Sequence, residues 1–491
     1  MHKPLRLALA TATAAALTGG LLTFSAVTAT AADSTVVPQA DFNNDGIGDT
    51  AFSADGAYVS GKKGAGQLVV LYGSKSDGVS SAKRSTISQN TAGNPGSAET
   101  GDHFGAETAY ADFNDDGYDD LAVGTPGEDV GSDTDGGGVV ILWGSVSGIT
   151  GKGVSVADPA PSAHDYWGKN LAAGDFDGDG RADLAVGSST ATVYVLKGGF
   201  NSSGTPGGKY TVKPPIMGTD ANGPLNLTAG DIDNSGETDL VVDGFESGTA
   251  DGWNRNYYIP GGTDGLHMSE AMPLKPGVIT AIGDINGDHY GDIVSGAYWN
   301  PTTSDGTAIP DSGKGGKVWV TYGSDGGPSD AHGITQDTGN VPGTAEGNDF
   351  FGYELDLGDV NGDGFLDLAI GVAGENIGSA ANTGTVTVLY GTPDGLDTTS
   401  GAQSFAQSTA GVPGSDEDDD YFGQDVKLDD VTGDNRADLI VGSRENDDNG
   451  AVTYLPSDGT KITTTGSRAI SPSTSGVSTT GAPFFGANFA D

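Results

Sequence analysis

Seven times the chain writes a nine-residue acidic loop with an oxygen-bearing side chain at positions 1, 3, 5 and 9. The loops begin at Asp41, Asp112, Asp175, Asp231, Asp284, Asp359 and Asp430, 53 to 75 residues apart. A period of that length across most of a chain marks a repeat architecture rather than a string of unrelated domains. Two short apolar runs follow most loops. The first ends in Gly, as in LAVGTPGED (121–129) and LAIGVAGEN (368–376); the second alternates, as in GQLVVLYGS (66–74) and GTVTVLYGT (384–392). Alternation of period two between Gly, Asp and Ser clusters predicts β-strands, about four per repeat, with no long helix.

A four-stranded sheet cannot bury both faces alone. Radial stacking does so and leaves only short edges, so the expected fold is all-β, a seven-bladed β-propeller spanning 33–491. A linear solenoid is the competitor, and the two ends of the chain argue against it. An aromatic-Gly pair stands eight residues before four of the loops, at Phe104-Gly105, Trp167-Gly168, Phe351-Gly352 and Phe422-Gly423. The first loop lacks its pair, while the last segment, Phe484 to Asp491, contains one at Phe485-Gly486. The two ends are therefore expected to complete one blade together and shut the ring.

Oxygen ligands on alternate residues, usually with Gly at position 6 to bend the backbone, suit a hard cation taking six to eight oxygens. Calcium fits better than magnesium, which keeps more of its own water. The expected ligand sets are Asp41, Asn43, Asp45, Asp49; Asp112, Asn114, Asp116, Asp120; Asp175, Asp177, Asp179, Asp183; and Asp359, Asn361, Asp363, Asp367. Three further sets depart from the pattern: Asp231, Asp233, Ser235, Asp239; Asp284, Asn286, Asp288, Asp292; and Asp430, Thr432, Asp434, Asp438. Ser235 replaces a carboxylate, His289 and Asn435 replace the turn Gly, and Thr432 replaces the position-3 Asp or Asn. An EF-hand is excluded for the third loop, because position 12 is Val186 within a β-run.

Residues 1–32 read as an export signal: Lys3 and Arg6, an Ala/Thr/Leu-rich run, and Ala29-Thr30-Ala31 as a cleavage site near Ala31 and Ala32. A secreted, monomeric protein with no membrane span is expected. The chain has no cysteine, so no disulfide can staple it. Its formal charge of −45 excludes a general nucleic-acid binder, which needs a basic footprint. Glycine, 83 of 491 residues, is well above the usual ~7%. Its regular placement between β-runs speaks for order.

The aromatic-Gly pairs, the acidic loops and the L-A-V-G strands together resemble the FG-GAP repeat of the integrin α-subunit propeller. The connectors QNTAGNPGSAETGDHFG (89–105), QDTGNVPGTAEGNDFFG (336–352) and QSTAGVPGSDEDDDYFG (407–423) resemble it as well. The resemblance implies that each loop joins the innermost strand of a blade to the second, and that the 1, 3, 5 and 9 side chains with the position-7 carbonyl hold Ca²⁺. It further implies a secreted binding or adhesion module for protein or glycan. Phospholipases D specific for glycan-linked phosphatidylinositol also carry these repeats, beside a separate catalytic domain for which this chain has no room.

No H-E-x-x-H or G-x-S-x-G motif marks a catalytic centre. His103 beside an aromatic-Gly pair and His289 in a loop read as structural. An enzyme, a polysaccharide lyase or hydrolase, would have to use the central channel, and a Tyr/His/Lys/Arg cluster at its mouth would favour it. A structural, acidic, calcium-buffering protein is the third reading. For ligand binding, the longest loops between second and third strands are 243–256 and 296–316. They carry Trp253, Arg255, Tyr298 and Trp299, and aromatic loop residues offer large rigid contact area. The competing reading packs these rings between blades four and five, which lack the aromatic-Gly pair.

Overall fold

The computed structural model describes residues 39–218, 223–249 and 252–490; the expected export signal lies outside them. Seven antiparallel sheets follow one another along the chain. Blade two is representative: Glu107–Ala111, Asp120–Thr125, Gly138–Leu142 and Gly153–Val156, paired in sequence order from the innermost strand outward. Blades three to seven repeat that order, and their innermost strands begin at Leu171, Asn226, Ile279, Phe351 and Asp425. The second strands are buried almost throughout, as the apolar runs after each loop require.

Blade one has only three strands of its own, Thr50–Ala54, Gln67–Leu71 and Arg84–Ile87. Its innermost position is filled from the other end of the chain. Phe489 bridges antiparallel to Phe52. Ser53 N–H donates to the Asn488 carbonyl at 2.8 Å, and Ala490 N–H donates to the Ala51 carbonyl at 2.9 Å. Phe485 and Phe489 meet Phe52 edge-on at 4.8 and 5.6 Å. The expected closure is therefore present, with Asp491 itself outside the described residues.

The aromatic-Gly pairs weld neighbouring blades. Phe104 is fully buried in a cluster with Leu68 and Val70 of blade one and Leu121 and Val123 of blade two. The Gly of each pair sits at positive φ and approaches the Gly that ends the second strand. A Cβ on Gly442 would lie 2.1 Å from the Gly486 carbonyl oxygen, so no larger residue fits without moving the joint. Blades four and five make the same backbone contact without the pair, through Leu225 N–H to Asp243 and Val278 N–H to Gly296.

Candidate metal centres and the opposite face

Six acidic loops join an innermost strand to a second strand and the first leads into the second-position strand of blade one, so antiparallel order puts all seven at one end of the blades. The long loops 243–256 and 296–316 join second to third strands and lie at the other end.

The loops share one hydrogen-bond scheme. In each, the position-1 carboxylate accepts from the backbone N–H groups of positions 5 and 6, curling the chain around it. Asp41 receives Asp45 and Gly46 at 3.1 and 2.8 Å, and Asp430 receives Asp434 and Asn435. The same pair of bonds forms on Asp112, Asp175, Asp231, Asp284 and Asp359. His289 and Asn435 take the turn at φ +73° and +62°, conformations that glycine adopts freely. The position-5 side chain of Asp45, Asp116, Asp179, Asp288, Asp363 and Asp434 caps the position-7 N–H.

Position 9 is the anchor. Asp49, Asp120, Asp183, Asp239, Asp292, Asp367 and Asp438 are each no more than 2% exposed. One oxygen of each accepts from the N–H of a residue just past the third strand: Gly73, Gly144, Gly198, Gly261, Gly323, Gly391 and Ser457. Burial pushes these carboxyls up, to about 8 for Asp49, Asp120, Asp239 and Asp367, and about 7 for Asp183, Asp292 and Asp438. The neighbouring loop aspartates add to the rise, which is the electrostatic environment a divalent cation would relieve.

Several oxygens in these loops also lack any partner. The amide oxygens of Asn43 and Asn114, at position 3, are buried without a hydrogen bond, as is one oxygen of Asp183. Buried acceptors are rarely left unpaired. Oxygens stranded beside ionised carboxylates fit a calcium ion. Asp175, Asp177 and Asp183 bring carboxylate oxygens within 4.8 Å of one another, and so do Asp231, Asp233 and Asp239. The fourth loop, expected to be weakened by Ser235, is thus as convergent at positions 1, 3 and 9 as the third. Both carry Asp at position 3, where loops one, two, five and six carry Asn.

On the opposite face, Tyr298 packs against Trp299 at 5.8 Å, Phe350 at 5.6 Å and Tyr353 at 5.1 Å. Phe350 and Tyr353, which border the start of blade six, carried no sequence signal beyond the adjacent aromatic-Gly pair. Trp253 and Arg255 lie on a hairpin-like extension closed by the Phe245–Asn254 bridge, and no ring contact among the described residues joins Trp253 to the Tyr298 cluster. Residues 250 and 251 of that loop lie outside the described residues. Trp253, Arg255, Tyr298 and Trp299 are all half-buried, and the neighbouring Tyr257 and Tyr258 are buried.

The innermost strands line a central cavity of about 110 Å³ that includes Tyr110, Thr228, Thr280, Asp356 and Lys427. The Lys427 ammonium lies 3.8 Å from Asp356, and both side chains are more than nine-tenths buried. No histidine lines this cavity. His103 instead bonds Asp55 at 3.0 Å beside the first blade joint.

Comparison with known proteins matches three of the blades to one repeat model. The FG-GAP repeat model matches residues 104–142, 167–205 and 351–389, which fall in blades two, three and six. Phosphatidylinositol-glycan-specific phospholipase D of Mus musculus is 33% identical over 156 residues, 32% of this chain and 18% of that protein. The Bos taurus protein of the same name is 30% identical over 185 residues, 37% of this chain and 22% of its own length. Integrin alpha pat-2 of Caenorhabditis elegans is 30% identical over 178 residues, 31% of this chain and 14% of its own length. The chain thus spans less than a quarter of each of these relatives. Among the described residues no helix is long and apolar enough to cross a membrane. The chain is a seven-bladed β-propeller built with FG-GAP repeats.

Proposed function

We propose that this protein is a secreted, calcium-loaded propeller that serves as a binding or adhesion module for an extracellular protein or glycan. The observation that carries the calcium reading is the set of buried, partnerless loop oxygens on Asn43, Asn114 and Asp183 beside carboxylates that burial holds near 7 to 8. Asp and Asn side chains at positions 1, 3 and 9, with position 5 on the loop rim, would hold the ions and fix the blade ends. Ligand contact falls to the other face, where Trp253, Arg255, Tyr298 and Trp299 crown the long loops. The similarity to an integrin α chain supports a binding role, and the export-like residues 1–32 support secretion.

The test pairs calorimetric calcium titration with a glycan array and a pull-down from extracellular matrix, each run with calcium and with EDTA. Calcium-dependent capture of one ligand class is expected. A protein that takes up no calcium refutes the metal reading, and one that loads calcium yet captures nothing refutes the binding role. The second reading is a structural, calcium-buffering protein, favoured by the half-burial of Trp253 and Trp299.

A further inference from the structure

A residue just past each third strand donates its N–H to the position-9 aspartate of the same blade, which sets the residue before it beside the metal loop. In six blades that preceding residue is Tyr72, Trp143, Pro260, Tyr322, Tyr390 or Pro456, none of which carries a charge at neutral pH. In blade three it is Lys197. Its ammonium lies 2.5 Å from Asp177, the position-3 ligand expected of the third loop. The stem crosses the ring of Tyr210, with the nitrogen 5.6 Å from the ring centre. Asp177 is 5% exposed, against 31% for Lys197, so the lysine reaches in from the surface to a buried carboxylate.

We propose that blade three carries its own cation: the Lys197 ammonium occupies the charge-balancing place at Asp175, Asp177 and Asp183, and makes this loop the weakest of the calcium sites. The inference rests on the calcium reading of the other loops. A calcium ion would need the Asp177 oxygen at 2.3–2.6 Å. The ammonium already holds that oxygen at the same range, and two cations so close repel. Blade four is the internal control. Asp231, Asp233 and Asp239 converge as tightly as the blade-three set, but Pro260 fills the slot, and among the described residues Asp233 is met by the Tyr258 hydroxyl at 3.3 Å rather than by an ammonium. The loop with the fullest set of aspartates is therefore the one expected to load last, and the ring keeps one metal-independent joint when calcium is scarce.

The experiment counts Ca²⁺ by native mass spectrometry and calorimetry for the wild-type chain, Lys197→Met and Pro260→Lys. Lys197→Met should bind one more tight calcium than wild type, or raise the affinity of the weakest site by about tenfold or more. In EDTA it should melt below wild type, because three buried carboxylates lose their counter-charge, and calcium should abolish that difference. Pro260→Lys should lose one tight calcium, and it decides the matter alone if Lys197→Met does not fold. Wild type and both variants binding equal numbers of calcium with equal affinities would overturn the lysine assignment while leaving the calcium reading intact. Absence of calcium binding by every form would overturn both.

Discussion

The seven position-9 aspartates should give the metal-free ring a strong pH dependence. Their ordinary value is 3.8, and burial carries them to about 7 or 8 in the fold. A carboxyl with a raised folded-state pKa binds its proton more tightly folded than unfolded. Its contribution is therefore whole below about pH 4 and is lost as pH rises through 7 to 8. Each group loses about 4–6 kcal/mol over that window, and the seven together roughly 35 kcal/mol. Even a threefold discount leaves ~10 kcal/mol, the scale of an entire domain's stability of ~5–15 kcal/mol. The apo protein should then melt cooperatively near pH 5.5, progressively lower through neutrality, and be largely unfolded near pH 8.5. Calcium should reverse the trend, since it binds the ionised form and its affinity grows as the protons leave. The assay is thermal unfolding followed by tryptophan fluorescence across about pH 5 to 8.5, in EDTA and in millimolar calcium. A melting temperature in EDTA that does not fall over that window would refute the reasoning. It would mean that the carboxylates are solvated or compensated in a way their burial denies.

Three further outcomes are expected. Phe485→Ala removes a fully buried ring from the closing strand and should cost about 3–5 kcal/mol, with faster amide exchange at Phe52 and Ser53 than anywhere in blade four; unchanged exchange there would contradict the closure role. Gly442→Ala should lower the melting temperature despite adding only a methyl, because its Cβ would press 2.1 Å from the Gly486 oxygen, and calorimetry would read the loss. Replacing Trp253 and Trp299 together by Ala should abolish ligand capture on the array while leaving a cooperative melt; a double variant that no longer folds would assign both rings to packing instead.

The blades were legible because their constraints are local. Strand alternation, the Gly that must accept a neighbour's carbonyl within van der Waals distance, and the 1-3-5-9 oxygen spacing all lie within a few residues of one another. Closure was legible for the same reason, as an aromatic-Gly pair missing at one end and present at the other. Packing of the long-loop aromatics was one of the two sequence readings, but the partners of Tyr298 were not legible: Phe350 and Tyr353 come from the next blade, and nothing in 296–316 announces them. Nor was the distinction of the third loop. Reading ligands along the loop ranks it first, whereas the deciding residue, Lys197, stands fourteen positions beyond Asp183 at the end of another strand. In loop four Ser235 departs at position 5, while the carboxylates that meet are those of positions 1, 3 and 9.

The loops also join the blades to one another. The position-8 N–H of one loop donates to the position-1 carbonyl of the loop before it: Asp119 to Asp41, Thr238 to Asp175, Gly291 to Asp231, Leu366 to Asp284, Ala437 to Asp359, and Gly48 to Asp430 across the closure. Six of the seven position-1 aspartates, all but Asp112, therefore hold their own loop with the carboxylate and the next blade with the carbonyl. Ordering one loop fixes an acceptor for its neighbour, which is how a glycine-rich ring without disulfides can be held by ions at its rim. Among the described residues the position-8 bond is not formed between blades two and three, where Arg181 reaches Asp115 at 3.3 Å. The bond from Phe200 N–H to the Phe113 carbonyl is shared with other joints, as from Ser145 to Phe42 and from Gly262 to Phe176. That joint lies beside the loop where Lys197 stands against Asp177, so side-chain cations gather at the place where the backbone belt is interrupted. If calcium loads the other loops as proposed, the ring should come apart in EDTA from blades four to seven first, with blades two and three the last to exchange their amides.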